Sequence, residues 1–204
     1  MNIVFAYPTG LNPQKGGVER ITDIIAKILL KRGYTIFYLN WEREQDNYEY
    51  PVPVIDLPSS NLEVPNILDV YNRFLKENRF DVIINQHGLY EGTYFLSQVR
   101  VQNVKIISVL HSDPFGYYDH LFADLMTLRD SSIKEKVKRV ARFFLYRKVK
   151  KIIHRSLVNH YTFIQEHPQY VCLLSESYKE RLEEYCDLPD NYFKVFPIRI
   201  LMKI

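Results

Sequence analysis

The chain has 204 residues, 47% of them hydrophobic, a formal net charge of +3 and two cysteines. That length and apolar content suit one globular domain, or one and a half small ones, with a sizeable core, and two cysteines do not make a disulfide framework. With no run of 18 apolar residues and no apolar leader at the N-terminus, the expectation is a reduced, cytoplasmic protein. The charge is unevenly spread. From Lys134 to Arg155 there are ten Lys/Arg against one acid, Glu135, while the rest of the chain carries a net −6.

In chain order, Ile3–Ala6 reads as a buried strand, followed by a polar loop with Pro8, Gly10, Pro13 and Gly16. A helix then starts at Gly17. Ile21, Ile24, Ile25, Ile28 and Leu29 share one face of a 3.6-residue period. Glu19, Asp23, Lys27 and Lys31 follow at spacings of four, acid before base, on another face. Gly33 closes the helix as a left-handed residue, and Tyr34–Leu39 is a second strand.

Val52–Leu57 reads as a proline-marked edge strand, within an irregular stretch over residues 42–66. Ile67–Asn78 is a helix, and Asp81–Asn85 and Lys105–Leu110 are strands. A long helix covers Ser132–Arg155, Tyr170–Leu174 is a strand, Glu176–Tyr185 is a helix and Phe193–Ile198 a last strand. Continuous apolar strands alternating with helices predict an α/β, doubly wound, mainly parallel sheet of six or seven strands. Cys172, flanked by Val171, Leu173 and Leu174, reads as a buried thiol.

In such a sheet ligands bind beyond the carboxyl ends of the strands. The residues there are Gly16 and Gly17, then Asn85-Gln86-His87-Gly88, then His111-Ser112-Asp113-Pro114, then Ser175-Glu176-Ser177. The glycine pair opens a helix, where free amides and the helix dipole favour an anion. His111 directly follows a buried strand, and an imidazole there suits proton transfer or hydrogen bonding to a hydroxyl. Ser175 is most simply a helix cap. No G-x-G-x-x-G, Walker-type phosphate loop, G-x-S-x-G or histidine pair with metal spacing is present.

Three segments then resemble the N-terminal domain of family-4 glycosyltransferases, retaining enzymes of the GT-B fold. They are the opening strand with Gly16-Gly17-Val18-Glu19-Arg20, the strand ending Leu110-His111-Ser112-Asp113, and Leu174-Ser175-Glu176-Ser177-Tyr178 at a helix start. Phe193–Ile198 looks like the last strand before an interdomain linker.

The resemblance implies a Rossmann-like N-terminal domain over residues 1–198, with 199–204 a truncated tail in place of the linker and the C-terminal donor domain. It implies metal-independent transfer, without a cofactor, from a nucleotide sugar to a glycan or glycolipid hydroxyl, as in polysaccharide biosynthesis. His111 would be catalytic. Gly16, Gly17, Arg20, Gln86, His87, Asp113 and Ser175 would bind substrate. The chain alone would be inactive. The alternative is a non-catalytic glycan- or membrane-surface-binding module of the same fold. Further expectations are an anionic membrane surface met through residues 132–155, a peripheral position at its inner face, a homodimer through the exposed domain face, and no nucleic-acid partner.

Overall fold

The computed structural model describes residues 1–42, 47–88, 91–127, 132–167, 169–185 and 193–195. The elements run β1 (Asn2–Ala6), α1 (Gly17–Lys31), β2 (Thr35–Asn40), β3 (Val54–Asp56), α2 (Ile67–Glu77), β4 (Val82–Asn85), α3 (Glu91–Leu96), β5 (Lys105–Leu110), α4 (Gly116–Met126), α5 (Ile133–Glu166), β6 (Gln169–Leu173), α6 (Glu176–Tyr185) and β7 (Phe193–Val195). The seven strands form one sheet in the order β3-β2-β1-β4-β5-β6-β7, and every pairing is parallel. This is the α/β, doubly wound, Rossmann-like architecture that the apolar strand runs predict.

Right-handed crossovers decide which face each helix covers. The chain winds one way from β1 to β3, so α1 lies on one face. There Ala26 packs with Ile3, Phe5, Ile36 and Tyr38. From β3 the chain crosses back over β1 to β4 and winds the other way, which puts the later helices on the opposite face. Tyr71 and Leu75 of α2 pack there with Val4, Ala6, Leu39 and Ile83. Tyr161 and Ile164 of α5 and Leu182 of α6 pack with Leu110, Val171 and Leu173. On the α1 face no helix among the described residues covers β6, and Tyr170 is 47% exposed.

Several elements differ from the sequence reading. The strand expected over Val52–Leu57 is the three-residue edge strand β3, inside the stretch expected to be irregular. The helix expected to end at Arg155 continues to Glu166, with Ser132 Oγ capping the Glu135 amide at 3.2 Å. Helices α3 and α4 were not expected at all. Residues 196–204, and with them the 198 boundary and the tail, lie outside the described residues, as does Cys186. Gly33 does adopt the left-handed conformation, at φ +83°.

The apolar stripe of α1 is not its most buried face. The buried residues are Glu19, Thr22, Asp23 and Ala26, with Asp23 held by Lys27 at 2.7 Å. Ile24 is 44% exposed. Two apolar helix positions should therefore respond differently to truncation. Leu75→Ala, at a fully buried site, should cost about 2–5 kcal/mol, whereas Ile24→Ala should stay within about 0.5 kcal/mol of wild type. Urea denaturation of both variants measures this, and equal losses would contradict the packing described.

Candidate functional site

The direction of winding reverses between β1 and β4, which opens a crevice at their carboxyl ends. The Gln86 amide donates to the Ala6 carbonyl at 2.9 Å, so the two strand ends leave together. On the β1 side, Gly16 caps α1 with an extended backbone that any residue could adopt. A Cβ there would meet the end of the Glu19 side chain, which would have to move aside. A Cβ on Gly17 would meet nothing within 4 Å, because this residue faces an open groove.

The first helical hydrogen bond runs from the Arg20 amide to the Gly16 carbonyl at 3.2 Å. The amides before it leave the positive end of the helix available. Glu19 sits at that same end, 9% exposed. With burial as the larger cause, it helps raise the pKa of Tyr7. An anion arriving here shares the helix end with a carboxylate. The Arg20 side chain is exposed.

On the β4 side the fully buried Asn85 side chain donates to Thr93 Oγ1 at 3.0 Å and to Ser108 Oγ at 3.3 Å. Its carbonyl oxygen accepts the His87 amide at 3.0 Å. Gly88 then passes so close to β5 that a Cβ would lie 2.7 Å from the Val109 carbonyl oxygen. Only glycine allows that approach. The His87 ring meets Tyr7 edge-on, with centroids 5.8 Å apart, and burial lowers its pKa.

Gln86 and His111 form the centre of the crevice. Gln86 Oε1 and His111 Nε2 are 2.5 Å apart, with Gln86 4% exposed. Burial lowers the His111 pKa to about 4. The imidazole is therefore neutral at pH 7. With its Nε2 proton given to Gln86, Nδ1 keeps a lone pair that can accept a hydrogen bond from a hydroxyl. Such a group is a poor proton donor at neutral pH, so it suits orientation and hydrogen bonding better than acid catalysis.

Beside this pair lies a groove of about 540 Å³, lined by Gly17, Val18, Ile21 and Ile25 from α1 and by Phe5, Ile84, Val109 and Cys172 from the sheet. A smaller cavity of about 160 Å³ shares Gln86 and His111 and adds Tyr7, His87 and Ser112. Burial pushes the Cys172 thiol up to about 11, which makes it an unreactive wall.

Gly16, Gly17, Gln86, His87 and His111 thus come together. Asp113 and Ser175 are occupied otherwise. Asp113 Oδ1 accepts the Phe115 amide at 2.8 Å in a turn that starts α4, and Oδ2 takes Arg181 Nη1 at 2.9 Å. The second guanidinium nitrogen of Arg181 pairs with Asp119. Ser175 Oγ accepts the Ser177 amide at 3.3 Å and caps α6. Among the described residues no group of three or more His, Cys, Asp or Glu is placed to hold a metal ion.

Sequence reasoning missed three contributors. Tyr7 lies one residue past β1, and the strand-end rule applied there would have found it. His160 braces Gly88 from α5, donating Nε2 to its carbonyl at 3.2 Å. Trp41, just after β2, and Tyr94 border a third hollow of about 590 Å³, together with Glu42, Ser59, Asn61 and Glu63. Trp41 is the single tryptophan of the chain. Its place after a strand was the available signal.

No protein-family model and no curated protein sequence matches this chain. Solved structures do. Anabaena HepE, crystallised with UDP and glucose, aligns with a TM-score of 0.53 at 14% identity over 97% of this chain and 44% of its own. Sucrose-phosphate synthase from Thermosynechococcus elongatus aligns with a TM-score of 0.55 at 12% identity over 96% of this chain and 47% of its own. At such identities the likeness is one of fold, the Rossmann-like fold of GT-B glycosyltransferases. The chain spans about half the length of the structures it matches.

The buried histidine makes stability depend on pH with a definite sign. An unfolded histidine titrates near pH 6.5, whereas native His111 does so at about 4. Between those values the unfolded chain binds more protons, so stability is full above pH 6.5 and falls as pH drops toward 4. His87 and His160, also lowered by burial, act in the same direction. Urea midpoints measured at pH 7 and pH 5 should fall for the wild type, and fall less for His111→Asn. Equal slopes in the two proteins would place His111 outside the buried environment described.

Proposed function

We propose that this chain is the acceptor-side, N-terminal half of a retaining family-4 glycosyltransferase. In the proposed reaction a sugar passes from a nucleotide-sugar donor to a hydroxyl of a glycan or glycolipid. The observation that carries this is the Gln86–His111 pair beside the Gly16-Gly17 helix end, at the point where the sheet reverses its winding. The fold likeness to HepE and sucrose-phosphate synthase supports it, and so does the sequence resemblance.

In this reading the α1 amides near Gly17 approach the departing diphosphate, and a neutral His111 orients a sugar hydroxyl through Nδ1. Gln86 fixes the tautomer that leaves Nδ1 free to accept. Asp113 shapes the site rather than touching substrate. The resemblance assigns most donor contacts to a second domain, so these 204 residues alone should bind acceptor without steady transfer. Glycan binding without turnover is the competing reading.

Both halves of the proposal can be measured in an enzyme that contains this chain and turns over. His111→Ala should lower turnover by on the order of 10²-fold. An unchanged rate with a lowered melting temperature would make His111 a core residue only.

Gly17→Val fills open space without touching the fold, so its melting temperature should stay near that of wild type. Its affinity for a nucleoside diphosphate should fall by at least about tenfold, because a side chain blocks approach to the helix amides. Unchanged calorimetric binding and turnover would make the glycine loop structural.

A further inference from the structure

Helix α5 is 34 residues long, or about 50 Å. Only its C-terminal turns pack on the sheet, with Leu157, Tyr161 and Ile164 joining the core there and α6. His160 reaches the Gly88 carbonyl at 3.2 Å, and the Tyr161 hydroxyl reaches that of Pro114 at 3.5 Å. Both carbonyls lie past the carboxyl ends of strands. The part of the helix before Leu157, about 36 Å of it, therefore rises beyond the rim that carries the candidate site.

Helix α4 climbs beside it. Phe122 meets Tyr146 edge-on at 5.1 Å, and Lys150 lies over the Tyr118 ring at 4.6 Å. Near the far end Glu135 holds Lys138 and Arg142 at 3.4 Å each. The pair forms a projecting hairpin.

Its outer surface is divided. Ile133, Val137, Val140 and Phe144 are 80%, 64%, 57% and 78% exposed, and at 100° per residue they form one stripe. Arg147, Lys148, Lys151 and Arg155 continue that stripe toward the rim. A hollow of about 440 Å³ lies among Met126, Arg139, Val140, Phe143 and Phe144.

We propose that this hairpin docks on an anionic phospholipid surface. The apolar stripe enters the boundary between headgroups and acyl chains, and the basic residues behind it meet lipid phosphates. Charge decides against a second copy of the chain, since residues 134–155 would set ten cations and one acid against the same. Exposed Ile133 and Phe144 decide against nucleic acid, whose backbone offers no apolar seat. Among the described residues no helix is long and apolar enough to cross a membrane, which leaves a position in the interface. The inference rests on the hairpin alone and stands apart from the glycosyl-transfer reading. Its consequence is that the candidate rim is held within a hairpin's length of the bilayer.

The test is co-sedimentation of the whole chain with vesicles of phosphatidylglycerol and phosphatidylcholine in equal parts, and with phosphatidylcholine alone. Binding should require the anionic lipid and weaken as salt rises. Replacing Lys148, Lys151 and Arg155 together by Gln should lower affinity about 100-fold, at roughly fivefold per charge. Ile133→Ser with Phe144→Ser should lower it comparably. All five positions are exposed, and unchanged thermal melting would verify the fold of both variants. A Phe144→Trp variant should show blue-shifted emission on anionic vesicles, over a background from buried Trp41. Equal sedimentation with both vesicle types, or none with either, overturns the proposal. So does a concentration-dependent dimer that the Ser variant abolishes, which would assign the surface to a second copy.

Discussion

The candidate site depends on one buried carboxamide. Asn85 ends β4, and its side chain reaches α3 through Thr93, β5 through Ser108 and the following loop through the His87 amide. A polar group buried this fully costs about 1–3 kcal/mol for a bond left unmade. Its partners are therefore held in one arrangement. Gln86 sits between Asn85 and His87, so its backbone is fixed on both sides, and from there its side chain meets His111. The placement of the pair thus rests on packing one residue away.

A second brace works by charge. Arg181 of α6 spans Asp113 and Asp119, and its guanidinium lies 5.8 Å over the Phe115 ring. The turn after β5 is thereby tied to the helix after β6. One guanidinium nitrogen serves each carboxylate, and such charge-assisted contacts are stronger than neutral ones. The brace lies beside the ligand crevice, and Asp113, which looks from its position like a ligand residue, is part of that support.

The strands were legible because parallel strands covered on both faces must be apolar throughout, and Ile106-Ile107 or Ile83-Ile84 leave little alternative. The place of His111 in the crevice was legible because it directly follows a buried strand, at the rim where this architecture opens. The His111 contact with Gln86, 25 residues earlier, was not, since it depends on register between β4 and β5. Helix α5 was underestimated because its halves obey different rules. The first is basic and exposed, and the second buries Tyr161 and Ile164 on another side. Helix α1 misled in the opposite way. Its isoleucine stripe signalled a core face, but the sheet beneath receives Thr22 and Ala26, and part of the stripe lines the groove. Ser175 and Asp113 stood at strand ends as expected, yet local backbone amides had prior claim on their oxygens.

The contact at Gly88 has a consequence for motion. With no side chain between them, the segment after β4 and the backbone at Val109 are in van der Waals contact, and His160 bonds the carbonyl of Gly88 itself. The segment that carries Gln86 and His87 is thereby fitted against β5, whose end carries His111. Across the crevice lies the β1–α1 connection. That loop is folded on itself, with the Asn12 amide on Gly10 at 2.8 Å, Gln14 on the Asn12 side chain at 3.0 Å and Lys15 on the Asn12 carbonyl at 3.0 Å. It is also pinned to the sheet, since Leu11 is fully buried in the core and the Pro8 carbonyl accepts the Trp41 and Glu42 amides at 3.1 and 2.8 Å, so both walls of the crevice are held from below.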